Sequence, residues 1–201
     1  MSVIEGLLFF VSGSIAAASV PLIVQLLLER EVAKDIHIVL SERARVFVSE
    51  TTLATLTGRP CVVDLFQEAK DGRAAHVDLA AQCQLAVVAP ASADIISKLA
   101  VGICDDSVSI ALSVFTRPVL IFPAIHPVTF RKPSIQRNLV QLREDGYQII
   151  GPVEGYSISE HRRLAQVGAM PGPEDVAAVI ESLPHANVFL NVNESIFDRG
   201  K

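Results

Sequence analysis

The sequence is poor in charge and has no concentration of positive charge. Only 19% of its 201 residues are charged, and the formal net charge is −5. With no basic cluster anywhere, nucleic acid is not expected as a partner. Cysteine is scarce and odd in number. Cys61, Cys83 and Cys104 each lie in or beside an apolar run. That pattern excludes a disulfide framework and reads as reduced, buried thiols of a cytoplasmic protein. The full G-x-G-x-x-G is missing, as is a P-loop lysine, which removes the dinucleotide fingerprint and the nucleoside triphosphate loop. Internal repeats and low-complexity linkers are absent too. What is present is apolar: half the residues are hydrophobic, in a chain long enough for one domain with a full core.

Gly6 to Leu28 contains no charged residue, a length sufficient to span a bilayer. Glu5, however, stands where a signal peptide would carry lysine or arginine. Ser12, Gly13, Ser14, Ser19, Pro21 and Gln25 also interrupt the run. Its pattern changes at Gly13, from a strand at Leu7 to Val11 to a helix at Ile15 to Leu28 that Pro21 kinks or shifts. A strand–turn–helix is expected, and no membrane partner.

The stretch from Leu85 to Asp106, LAVVAPASADIISKLAVGICDD, organises the rest. Leu85 to Ala89 reads as a buried parallel strand that Pro90 stops, and Asp94 as the N-cap of the next helix. Such a turn is either an ordinary strand-to-helix connection or a site for an anionic or strongly polar ligand. Further strands are expected at Asp35 to Leu40, Cys61 to Val63, Val119 to Phe122 and Tyr147 to Ile150. Helices are expected at TTLATLTG closed by Gly58, around His76 after a polar turn at Asp71 to Arg73, and at Asp106 to Ser113. Two more cover Pro133 to Asp145 and Pro173 to Leu183. Strands alternating with helices imply a parallel sheet covered on both faces. The domain is expected to span 1–183, with an unassigned tail at 184–201. Ligands of such sheets bind beyond the carboxyl ends of the strands. That singles out Ser12-Gly13-Ser14, Ser41, Pro90 to Asp94 and Pro123 to Pro127. Gly13 permits close backbone approach, and Ser14 offers a hydroxyl at a helix start.

Five segments carry a resemblance: SGSIAA at 12–17, HVDL at 76–79, PASADIISKLAVGICDD at 90–106, PAIHPVTF at 123–130 and IIGPVEG at 149–155. In this order and spacing they resemble the homo-oligomeric flavin-containing cysteine decarboxylases. That family includes phosphopantothenoylcysteine decarboxylases and the peptidyl-cysteine decarboxylases of lantibiotic-type biosynthesis. The resemblance covers about residues 5–180. It implies an α/β fold, a single-domain three-layer Rossmann-like (flavodoxin-like) parallel sheet with helices on both faces. It also implies a flavin, FMN or alternatively FAD, and no metal.

Carried onto this chain, it puts Gly13, Ser14 and Ile15 at the flavin phosphate end, joined by Ser41. Ser92, Ala93, Asp94 and Ile95 match the family's PASANT segment beside the isoalloxazine, and Ala124 lies at the next strand end. His76 matches the catalytic histidine, while His37, His161 and His185 read as structural. Asp105 and Asp106 match a DD pair that a helix cap explains as well as chemistry does. The family's flavin sites form between subunits, so the chain is expected to partner itself as a homotrimer or homododecamer. Its apolar composition agrees with that.

The departures concern substrate. Asp94 replaces an Asn, and Ile125-His126 replaces a Met-Asn whose Asn holds the substrate carboxylate, a task His126 would inherit. Thr129 and Phe130 replace Met and Trp. Met170-Pro171 is either the end of a substrate clamp or part of a plain surface loop. The clamp cysteine of phosphopantothenoylcysteine decarboxylases is missing, since no cysteine follows Cys104. The implied reaction therefore stops at an enethiol. The C-terminal cysteine of a precursor peptide is oxidised at Cβ to a thioaldehyde and loses CO2, with His76 as the base on the thiol. A phosphopantothenoylcysteine decarboxylase and a non-catalytic flavin-binding subunit are the alternatives. A flavin prenyltransferase fits the HVDL and PASA segments poorly.

Overall fold

β1 (Ile4–Val11) is buried on both faces, with only Glu5 exposed. Successive strand side chains point to opposite sides. Leu7, Phe9 and Val11 accordingly enter one core, while Leu8 and Phe10 enter the other. Each fully buried Phe contributes about 1.5–3 kcal/mol relative to exposure. The computed structural model describes residues 3–65, 75–157 and 162–183. The polar turn expected at Asp71 to Arg73, His161, His185 and the tail at 184–201 lie outside the described residues.

The main sheet has five parallel strands in the order β2-β1-β3-β4-β5, with β2 (Ala33–Leu40), β3 (Leu85–Ala91), β4 (Val119–Pro123) and β5 (Gln148–Ile149). This is the flavodoxin-like order, whose switch point lies between the first and third strands. Helices α1 (Val20–Glu29) and α8 (Pro173–Ser182) cover one face through Ile23, Leu27, Val176 and Ile180. On the other face, α4 (Ala93–Val101), α5 (Ser107–Ser113) and α7 (Pro133–Glu144) contribute Ile96, Leu112, Ile135, Leu139 and Leu142. The remaining helices are α2 (Glu50–Thr57), α3 (Ala75–Gln82) and the short α6 (Pro127–Phe130). Among the described residues, no helix is long and apolar enough to cross a membrane.

Several local expectations change. The run after Gly13 forms a 3-10 helix at Ile15–Ser19 before α1, and Pro21 sits in the first turn of α1, where its missing N–H costs nothing. β3 continues through Pro90 to Ala91, because the ladder to β4 shifts register there and resumes at Ala91 with Pro123. The Pro90 carbonyl is also used, accepting from the Ser12 N–H and the Ser12 hydroxyl. Ser92, not Asp94, caps α4, and Asp94 lies within its first turn. Cys61 to Val63 is no strand. Val62 makes one parallel bridge to Val39 on the outer side of β2. Tyr147 to Ile150 shrinks to the two residues of β5. Cys83 is buried and Cys61 partly so, but Cys104 is exposed, in the polar turn after α4. Burial pushes the Cys83 thiol up to about 12, and burial with the Glu50 charge pushes Cys61 up to about 11.

The largest departure is an antiparallel hairpin of β6 (Val153–Ser157) and β7 (Arg162–Ala169), where the sequence pattern predicts no strand. It docks on the end of β4. The Ile125 N–H donates to the Gly168 carbonyl at 2.8 Å, and a side chain at Gly168 would overlap the Ile125 carbonyl oxygen.

Candidate functional site

The first four strands of the chain end in the same device, a polar side chain that caps the helical turn after it. Ser14 Oγ accepts from the Ala16 N–H at 3.4 Å, and Ser41 Oγ from the Ala44 N–H at 3.2 Å. Ser92 Oγ accepts from the Ile95 N–H at 3.4 Å, and His126 Nδ1 from the Val128 N–H at 3.3 Å. A serine hydroxyl that accepts still has a proton to donate. A neutral His126 that accepts at Nδ1 carries its proton on Nε2, which makes that nitrogen a donor.

Ser12 ties the central two ends together. It is buried, its hydroxyl donates to the Pro90 carbonyl at 2.8 Å, and it accepts the Ser92 N–H at 2.8 Å. The turns after β1 and β3 are therefore held in fixed relation at the switch point.

Above these ends lie two adjoining cavities. The larger, about 640 Å³, has walls from Ser12 to Ser14, Ser41 to Arg43, Ser92 to Ile95 and Ala124 to His126. The smaller, about 440 Å³, lies between the Ser14–Ser19 turn, the end of β4 and the base of the hairpin, where Met170 and Pro171 stand. Ser14, Ala124, Ile125 and His126 belong to both. Both volumes fall in the range of ligand pockets, about 300–1,000 Å³. A basic group, Arg43, lines the β2 end of the larger cavity. At its β3 end Lys98 faces Asp105 at 2.7 Å, Asp106 at 2.6 Å and Asp94 at 3.7 Å. Burial pulls the Lys98 ammonium down, but its bonds to Asp105 and Asp106 outweigh this and hold it protonated well beyond the ordinary lysine range. Burial likewise pushes Asp106 up, and the Lys98 and Ser109 bonds overcome it, leaving that carboxyl below its usual range.

A family model described as Flavoprotein matches residues 2–185. The chain belongs to the Flavoprotein family. Among curated proteins it is 33% identical over 177 residues to the coenzyme A biosynthesis bifunctional protein CoaBC of Bacillus subtilis, covering 88% of this chain and 42% of that protein. The corresponding Escherichia coli protein is 32% identical over 145 residues, 72% of this chain and 35% of the relative. The chain thus spans about two fifths of the length of these relatives. Among solved structures, the FMN-dependent cysteine decarboxylase SpaF is 31% identical with a TM-score of 0.75, covering 88% of this chain and 95% of SpaF. TvaF, described as an FMN-dependent cysteine decarboxylase from thioviridamide biosynthesis, is 26% identical with a TM-score of 0.70, covering 89% of this chain and 98% of TvaF.

For this Flavoprotein family member, the fold brings Gly13, Ser14, Ser41, Ser92, Ala93, Asp94, Ile95 and Ala124 to one cavity, with His126 on its rim. Ile15 and Met170 line the smaller one. His76 lines neither. The reason is length. The Gln84 N–H donates to the Gly6 carbonyl, which pins the end of α3 near the start of β1. From there to His76 an α-helix rises only about 12 Å, whereas β1 climbs about 20 Å to Ser12. His76 is left part-way up the flank of the sheet. His37 is half-buried in β2, where burial lowers its pKa, as a structural histidine. Sequence reasoning missed Arg43, Lys98 and Gln166. Lys98 had a local signal, its spacing four residues after Asp94; Arg43 and Gln166 had none. Asp106 is a helix cap with a reciprocal Ser109 bond, so the structural account of that residue holds. Among the described residues, no group of three or more His, Cys, Asp or Glu could hold a metal.

Proposed function

We propose that the chain is an FMN-dependent decarboxylase that acts oxidatively on the C-terminal cysteine of a precursor peptide and releases an aminoenethiol. The donor set suits FMN. Serine hydroxyls at three strand ends, Arg43 and the close approach at Gly13 fit a phosphate, and Ala93, Ile95, Ala124 and Ile125 offer apolar surface for a ring. Bound there, FMN supplies the two-electron oxidation that makes the cysteine carboxylate labile. The chain's own residues do the rest. The His126 Nε2–H donates to the carboxylate, the hairpin base with Met170 covers the peptide end, and His76 takes the thiol proton. His76 lies outside both cavities of its own chain, which supports a homotrimer or homododecamer whose neighbour supplies it. Three free thiols, two of them shielded, suit a reducing cytoplasm.

One observation carries the substrate assignment: among the described residues no cysteine lines the smaller cavity, and none follows Cys104 in the given sequence. Without a thiol there, no group of that kind protonates the enethiol carbon. The rival reading, a phosphopantothenoylcysteine decarboxylase, draws on the identity to CoaBC. Mass spectrometry separates them. A peptide ending in cysteine is expected to lose CO2 plus two hydrogens, with the flavin bleaching under anaerobic turnover. A product lighter by CO2 alone, or turnover confined to phosphopantothenoylcysteine, would overturn the peptidyl reading.

His126→Ala is expected to leave the flavin spectrum unchanged and lower kcat/KM about 10- to 100-fold, the worth of one hydrogen bond to a charged group. Wild-type kinetics in this variant would reduce His126 to a helix cap.

A further inference from the structure

We infer that Lys98 is the charge-balancing residue of the flavin wall: by gathering Asp94, Asp105 and Asp106 around one ammonium, it governs how tightly the larger cavity holds flavin and the potential at which that flavin is reduced. The inference rests on the flavin reading above. All four side chains line the larger cavity. The remaining charged residues on that wall are Glu42, which pairs with Arg45 at 2.8 Å, and Arg43. The β3 end therefore sets three carboxylates against one ammonium, while Arg43 stands at the opposite end.

Lys98 is not placed to serve as a phosphate ligand. Its Nζ lies within hydrogen-bond distance of both Asp105 and Asp106, and its side chain is only 19% exposed. Partial burial makes these interactions stronger than at an open surface. The cluster also has a mechanical side. Asp106 caps α5, and the Ser107 hydroxyl at the start of that helix donates to the Val63 carbonyl at 2.8 Å and accepts the Leu65 N–H at 3.1 Å. A purely structural role for Lys98 would run through these bonds alone. Charge balance adds a different consequence: the flavin phosphate and the reduced ring are both anionic, so each feels the net charge of this wall. Asp94 is the member to vary, because its side chain is 55% exposed and caps nothing.

The test measures FMN dissociation by fluorescence quenching, and the potential by dye-linked titration, in four proteins. Lys98→Met is expected to bind FMN about fivefold more weakly and shift the potential to more negative values. Asp94→Asn is expected to bind more tightly and shift it to more positive values. The double variant has the wild-type net charge and is expected to return toward wild type in both, a rescue that a structural role would not produce. Should Lys98→Met fail to fold, Asp94→Asn decides alone. Wild-type affinity and potential in that variant would overturn the inference while leaving the flavin reading standing. A wild-type protein that takes up no FMN would overturn both.

Discussion

Gly13→Asp yields a folded, colourless protein. Two effects act together at this position. A Cβ built on Gly13 would stand 2.5 Å from the Arg43 Cβ, closer than such atoms approach, so any side chain pushes the turn after β2 away from the turn after β1. That displacement opens the end of the larger cavity where Ser14, Ser41 and Arg43 converge. A carboxylate then adds repulsion toward a phosphate. At about 4 Å in a partly screened site this is about 4 kcal/mol, or roughly a thousandfold in affinity. Gly13→Ala isolates the steric part and should retain flavin weakly. Far-ultraviolet circular dichroism and a thermal melt establish folding, and absorbance of the purified protein with added FMN reads the outcome. A yellow Gly13→Asp with wild-type affinity would place the phosphate elsewhere.

The strand ends were legible because their chemistry is local. A helix start needs a short acceptor, so Ser14 and Ser41 announce themselves where an apolar run gives way to a helical turn. The parallel sheet was equally plain, since strands such as Leu85 to Ala89 are apolar on both faces and separated by helical stretches. Partnership between distant segments was not legible. Nothing in PASAD distinguishes Ser92 from Asp94 as the cap. The choice falls to Ser92, whose N–H is already held by Ser12 at the carboxyl end of the strand beside it. Pro90 reads as a stop because it lacks a donor, yet at a register shift no donor is needed.

The hairpin shows the same limit more sharply. Gly155 and Gly168 look like loop residues, but both are places of close packing. A Cβ on Gly155 would overlap that of Ala169 across the hairpin, and Gly168 lies against Ile125 and Pro127. Arg131 adds a bond to Gln166 at 2.7 Å. The strands are specified by what they dock on, not by an alternating pattern of their own.

His76→Ala abolishes turnover, by about 10² to 10⁴-fold, and leaves the protein yellow. The colour persists because His76 lines neither cavity, so its loss removes no wall from the flavin site of its own chain. The activity falls because the base for the thiol is lost. Both statements hold if the imidazole reaches substrate held by another copy, and Val77 beside it, 48% exposed on α3, offers apolar surface for such a contact. Complementation tests this directly. Coexpressed Gly13→Asp and His76→Ala chains are each inactive alone. In mixed assemblies, a His76→Ala cavity facing an intact His76 on a Gly13→Asp neighbour is a complete site. Random pairing at equal amounts gives about one quarter of sites in that arrangement, and recovery near that level is expected. If base and cavity belonged to one chain, mixing would recover nothing. Zero recovery in assemblies shown by mass spectrometry to be mixed would therefore return His76 to its own subunit, and a monodisperse monomer by light scattering would do the same.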